Sequence, residues 1–312
     1  MTKKEKQKSE KPMTPEMMQM ANAKLFDHIN NQNFGSIEEI NEFLRKNVNG
    51  KRIDEVVPLK KGKKSNIEKS DDLMYTAYES NQIKGYKIAQ EALKLNPENI
   101  RALSYLASNT ENIDEAFVLY KQAVEIGEKQ LGETFFIENK GHFWGMHETR
   151  PYMTAKLSYA VCLFAMNKTD EAIQQYNEML ELNPNDNQGI RHILSTILLN
   201  CKKYNLYFEL YKKFADEIST FGYFNYALFL FATEGATMKA AKALTKANKQ
   251  NKYVLQFISG QKKIVTEPDG YYSIGDESEA TIYLTENFKS WVECNGAVEW
   301  VLSYVENNKR LN

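Results

Sequence analysis

The 312 residues predict an all-α fold: a right-handed solenoid of stacked helix pairs, preceded by a helical hairpin and closed by a helical cap. Three observations carry that prediction. Apolar side chains recur at helical spacing through most of the chain, as amphipathic helices require. Helix starts are marked by capping residues, notably Ser36 with Glu39 and Asp276 with Glu279, an arrangement that satisfies free N–H groups at a helix N-terminus. From Ser70 to about Gly260 the helices come in pairs, with a period close to the ~34 residues of a two-helix repeat.

Residues 1–13 are rich in Lys and Glu with almost nothing to bury, and are expected as a disordered tail. Residues 14–50 form the N-terminal hairpin. Thr14, Pro15 and Glu16 supply an N-cap, a first-position proline and an acidic first turn ahead of Met17, Met18, Ala21, Leu25 and Ile29. Ser36 opens a second helix carrying Ile40, Phe43 and Leu44, which Asn49 and Gly50 end. Residues 51–69 are a basic linker, interrupted by Pro58 and carrying Lys60, Lys61, Lys63 and Lys64. No aromatic residue interleaves those lysines, which favours a solvated linker over a phosphate-binding patch.

Residues 70–260 hold about five repeat units. The best spans 153–186, where Ala160, Leu163, Ala172, Tyr176 and Pro184 stand at the small, large, small, large and proline positions of the tetratricopeptide pattern. Small residues let two antiparallel helices approach, and large ones fill between neighbouring pairs. Thr169 stands where the second helix needs an N-cap, and Met179 is larger than the pattern's usual residue. A unit from about Phe221 places Ala227, Phe231, Ala240, Leu244 and Ala247 correctly. Between these two, Ile190, Ile193, Ile197, Leu206 and Leu210 outline a degenerate unit. Upstream, Ala92 to Pro97 closes one unit, and Ile113 to Gly132 supplies an overlong second helix of another. Residues 261–312 are capping helices: a turn at Glu267-Pro-Asp-Gly270 and an extended link at Tyr271 and Tyr272, then one helix from Asp276 through Trp291 and a last one with Trp300 and Tyr304, covering the solenoid's exposed end.

The run ENKGHFWGMHETRPYMTAKLSYAVCLF followed by EAIQQYNEMLELNPNDNQGIR resembles the suppressor-of-tumorigenicity-seven family and its soluble bacterial tetratricopeptide relatives. GHFWGxxETRPYM and LELNPNDNQGIR together carry the specificity. Weaker similarity extends to DDLMYTAYES, GDESEATIYL and the final GAVEW, so the resemblance covers roughly residues 14–305. It implies a helical-repeat interaction protein and hands over no catalytic residue.

Charge and cysteine usage narrow the function classes. Forty Lys and Arg against 41 Asp and Glu leave a net charge of -1, so no global field favours nucleic acid or membrane, and neither is expected as a partner. Cys162, Cys201 and Cys294 are far apart within apolar helical patterns, as buried thiols in a reducing compartment would be. No apolar core follows the N-terminal basic residues, and no run of about 18 apolar residues is present, so a cytoplasmic location is expected. Hydrolase and nucleotidase chemistry lacks its motifs: there is no nucleophile elbow and no Gly-rich phosphate loop.

Chemistry concentrates in 141-GHFWGMHETRPYM-153. His142 and His147 are five apart, whereas metal-binding helices space histidines by four to bring both imidazoles to one face. A metal or ligand site formed with His192, serving a sensor or enzyme, is the alternative reading. The structural one takes Pro151 as the first residue of a helix, with Arg150 extended before it, Gly141 and Gly145 in tight turns, and Glu148 paired with Arg150 or Arg191. A partner-binding face on the first helices would use Asn139, His142, Trp144, Glu148, Arg150, Tyr152, Asn187 and Arg191, since planar guanidinium forks suit carboxylates. The expected function is a non-enzymatic scaffold holding a protein or peptide segment on the solenoid's concave face, with no cofactor. The aromatic run 221–231 is read as a packed inner helix.

Overall fold

The computed structural model describes residues 13–49, 51, 63–264 and 272–309. The tail over 1–12, most of the linker with Lys60 and Lys61, and the turn at 267–270 with Tyr271 lie outside the described residues. The fold is all-α, with no strand among the described residues. The chain divides into two compact units, one up to Asn187 and the other from Gln188.

The first unit opens with α1 (Pro15–Asn30), capped by Thr14 Oγ1, and α2 (Ile37–Asn47), capped by Ser36. Met17, Met20, Ala21, Leu25 and Ile29 are buried, one stripe of α1. Three helix pairs follow: α3 (Asn66–Glu79) with α4 (Gln82–Leu95), α5 (Ile100–Ser108) with α6 (Ile113–Leu131), and, after the short α7 (Glu133–Asn139), α8 (Arg150–Ala165) with α9 (Thr169–Leu182). Helix α3 begins within the stretch expected as linker. Ser65 and Glu68 form a complete capping box there, which the preceding lysine run disguises. Thr169, expected as an N-cap, is the first residue of α9, and Lys168 stands at the cap with no side-chain bond.

Alanine lets these pairs close. Ala77, Ala89, Ala92 and Ala102 are fully buried around Met74, and α1 adds Met20 to the same core. The overlong α6 is real, at 19 residues. Gly127 lies within it because a Cβ there would stand 2.6 Å from Cδ2 of Tyr152, an overlap no side-chain carbon tolerates.

The second unit contains α10 (Ile190–Asn200) with α11 (Tyr204–Lys213), α12 (Thr220–Glu234) with α13 (Met238–Gln250), then α14 (Lys252–Ile258), α15 (Glu277–Glu293) and α16 (Ala297–Lys309). The α12–α13 pair closes on Ala227, Ala240, Leu244 and Ala247, all fully buried. Leu206 of α11, expected in a core, is 47% exposed, and Cys201, expected as a buried thiol, is exposed at the C-cap of α10.

Helix α15 packs on α10 and α12, the first helices of the two pairs, and on α14, and α16 packs on α14, α12 and α15. Tyr283 and Trp291 of α15 are fully buried, meeting Phe221 and Phe224 of α12 edge-on or tilted.

Candidate functional site

The stretch between α6 and α8 is built inward from one ring. Gly132, at φ +77°, ends α6, and Phe135 and Phe136 of α7 meet the fully buried Phe143 at 5.8 and 4.9 Å between ring centroids. Tyr152 packs on the same ring at 6.2 Å. Thr149 occupies the N-cap of α8 without capping it. Its buried hydroxyl reaches back to the carbonyl oxygens of Phe143 and Met146, closing the loop on itself. Arg150 is the first residue of α8 rather than an extended residue before it. Its Nε donates to the Trp144 carbonyl at 3.0 Å, and its guanidinium lies 5.5 Å from the Trp144 ring, so the cation is spent holding the loop.

Three expected residues here are exposed: His142, Glu148 and Asn187. Asn139 and Trp144 are half-buried, and Asn139 donates to the Phe135 carbonyl at 3.0 Å, closing α7. Tyr152 is a correction, because at 2% exposure it belongs to the core and cannot meet a partner. Arg150 holds Trp144, and Arg191, in the second unit, stands 3.3 Å from Glu217 and 5.4 Å from the Phe214 ring. No group of three metal-ligating side chains is found among the described residues. Of the three histidines proposed for a metal, His142 is exposed, His147 packs on Phe26 of α1 at 4.4 Å, and His192 meets Glu217 at 3.3 Å and Phe221 at 4.6 Å.

Burial, and then the Arg150 guanidinium, hold the His147 imidazole below its ordinary pKa, against weaker opposite pulls from Glu148 and Asp27. Its Nδ1 is buried with no hydrogen-bond partner among the described residues. The unfolded chain therefore takes up the proton more readily. The contribution of the neutral imidazole to stability is complete above the ordinary histidine range, about pH 6.5, and is lost as the pH falls through it. Amide exchange at residues 143–149, corrected for its intrinsic pH dependence, should accelerate between about pH 7.5 and about pH 5.5. His147→Phe should remove that acceleration. An unchanged acceleration in the variant assigns it to another group.

Sequence reasoning missed Lys156. Its side chain is 3% exposed, and Nζ donates to Gln175 Oε1 and Glu178 Oε2, each at 2.7 Å, with Glu128 at 3.9 Å. This cation ties α8 to α9 and α6 under cover of Tyr152. A charged residue inside the apolar pattern MTAKLSYA was the available signal.

In the second unit Glu217 gathers a half-buried cluster. Ser219 Oγ donates to its Oε1 at 2.5 Å, beside Arg191 and His192. Arg191, His192 and Glu217 border a cavity of about 110 Å³ between α10, α11, α12 and α13. On the face covered by α15, polar side chains meet at regular intervals. Glu279 accepts from the Thr220 backbone N–H at 3.0 Å, the Thr220 hydroxyl at 2.7 Å and the Gly275 N–H at 2.7 Å. It therefore reaches past the Asp276 cap instead of completing the expected capping box. Tyr283 OH donates to Asn225 Oδ1 at 3.1 Å, Thr196 Oγ1 donates to Asn287 Oδ1 at 2.7 Å, and Ser290 Oγ donates to Asn200 Oδ1 at 2.6 Å. The four α15 residues are spaced by four, four and three, one stripe of a helix.

No described helix is long and apolar enough to cross a membrane. No protein-family model matches the chain, and no curated protein matches it either.

Proposed function

We propose that the chain is a non-enzymatic interaction scaffold of tetratricopeptide-type hairpins whose first-helix face takes an amphipathic partner helix. The supporting observation is α15. Along its one stripe Glu279, Tyr283, Asn287 and Ser290 each engage a polar group of α10 or α12, while Trp291 and Leu284 fill between them. A face that reads one helix by alternating apolar and polar contacts has what helix-in-groove recognition needs. The resemblance to the suppressor-of-tumorigenicity-seven family fits the same class of protein. Because Arg150 and Arg191 are engaged by Trp144 and Glu217, the reading rests on this face and not on those arginines.

In this reading α15 is an internal occupant with which a partner competes, and weakening it raises the partner's apparent affinity. Asn287→Ala with Ser290→Ala in the full chain removes two of the four polar contacts. Affinity capture from the native cell should then retain more partner on the variant than on the unchanged chain. A synthetic peptide of residues 277–293, added in excess, should displace it. Equal retention by the two chains, together with no displacement by the peptide, overturns the proposal.

A further inference from the structure

From the second unit's cavity we infer a binding site for an aromatic ring bearing a hydrogen-bond acceptor, with anionic acceptors preferred. The cavity exists because rings act as spacers. Tyr211 stacks on Tyr226 at 4.1 Å and 5° between planes, and Phe208 stacks on Phe229 at 5.6 Å and 10°. These pairs hold α11 away from α12, whereas alanines draw α13 against it. The resulting space of about 110 Å³ approaches the roughly 150 Å³ of an apolar protein cavity that admits benzene. Its tyrosine walls offer ring faces and edges for offset or edge-on packing.

The polar groups define the rest of the ligand. Tyr207 lines the cavity at 2% exposure. Burial holds its hydroxyl far above the ordinary tyrosine pKa, so it stays protonated and can donate to an acceptor seated in the cavity. On the opposite wall Asn225 is already committed, its amide donating to Ser195 Oγ at 2.9 Å and its oxygen accepting from Tyr283. The cations lining the space are Arg191 and Lys246, with His192 beside them, against the single carboxylate of Glu217. Glu217 is occupied by Arg191, His192 and Ser219, so it does not call for a further cation. Lys246 stands exposed, 4.8 Å from the Tyr223 ring, placed to meet an anionic substituent of a ring seated below it. A free aromatic acid and an aromatic side chain with acidic neighbours on a partner segment present this same chemistry. The site is separate from the face covered by α15, so its failure leaves the helix-docking proposal standing.

The test titrates the full chain with benzoate, with benzylamine and with the peptide acetyl-Asp-Phe-Asp-amide, following amide and tyrosine ring signals by NMR. Saturable shifts at Tyr207, Tyr211 and Tyr226 are expected with benzoate or the peptide, and benzylamine should bind at least about tenfold more weakly. Tyr207→Phe keeps the ring and removes the donor, so it should weaken binding roughly three- to tenfold. Ala243→Leu fills the cavity from α13 and should abolish binding, with far-UV circular dichroism confirming that each variant is folded. Tighter binding of benzoate than of the peptide identifies a small-molecule site, and the reverse order a partner anchor. No saturable shift with either anion, benzylamine binding as tightly as benzoate, or affinity unchanged by both variants overturns the inference.

Discussion

Replacing Trp291 with Ala should lower the stability of the second unit by about 3–5 kcal/mol, a large share of what holds a domain of this size together. The indole is fully buried, approaches Phe224 edge-on at 6.4 Å, and donates from Nε1 to the Tyr283 hydroxyl at 2.9 Å. Truncation removes apolar area, leaves a cavity, and takes a donor from a hydroxyl that is itself buried and bonded onward to Asn225. The chain from Trp291 through Tyr283 and Asn225 to Ser195 links α15 to the floor of the cavity, so the loss should spread to α10 and α12. Val292→Ala, one residue on at a position 55% exposed, should change stability by less than about 0.5 kcal/mol. Urea unfolding followed by far-UV circular dichroism compares the two variants. Similar midpoints for both would mean that α15 is not held against the first helices as described.

The pairing of helices was legible because caps and alanines are local signals. Ala227, Ala240, Leu244 and Ala247 declare a close approach that needs no knowledge of the rest of the chain, and all four are fully buried. Partnerships across long sequence separations were not legible. Glu279, expected as the capping-box partner of Asp276, and Asn287 are both fully buried because Thr220 and Thr196, remote in sequence, satisfy them. The aromatic run 221–231 lies in a packed helix, but its Tyr226 and Phe229 face α11 as stacked spacers, and nothing in their spacing separates a spacer from a filler. Lys156 shows the same limit in the first unit, where burial is tolerable only because Gln175 and Glu178 arrive from α9. At GHFWGMHETRPYM arginine, histidine and tryptophan suit ligand binding, but Arg150 is used on Trp144 and His147 on Phe26, pairings that residue spacing alone does not reveal.

Phe143→Ala should cost about 3–5 kcal/mol, confined at first to the first unit. Its ring is fully buried between Phe135, Phe136 and Tyr152, and Tyr152 in turn sits in the space that Gly127 leaves open on α6. Loss of the ring therefore loosens both the loop and the seat of α8 on α6. Thr149→Val separates these two effects. The exchange keeps the shape but removes the hydroxyl that donates to two loop carbonyls, at a cost of about 1–3 kcal/mol, and leaves the aromatic cluster in place. Hydrogen exchange should show residues 132–149 opening in both variants, and the α6–α8 contact weakening only in Phe143→Ala. If Thr149→Val frees α8 as fully as Phe143→Ala does, the loop's hydrogen bonds and not its aromatic core position that helix. The stretch then acts as a latch closed by Thr149 and Arg150, and its aromatic rings merely fill it.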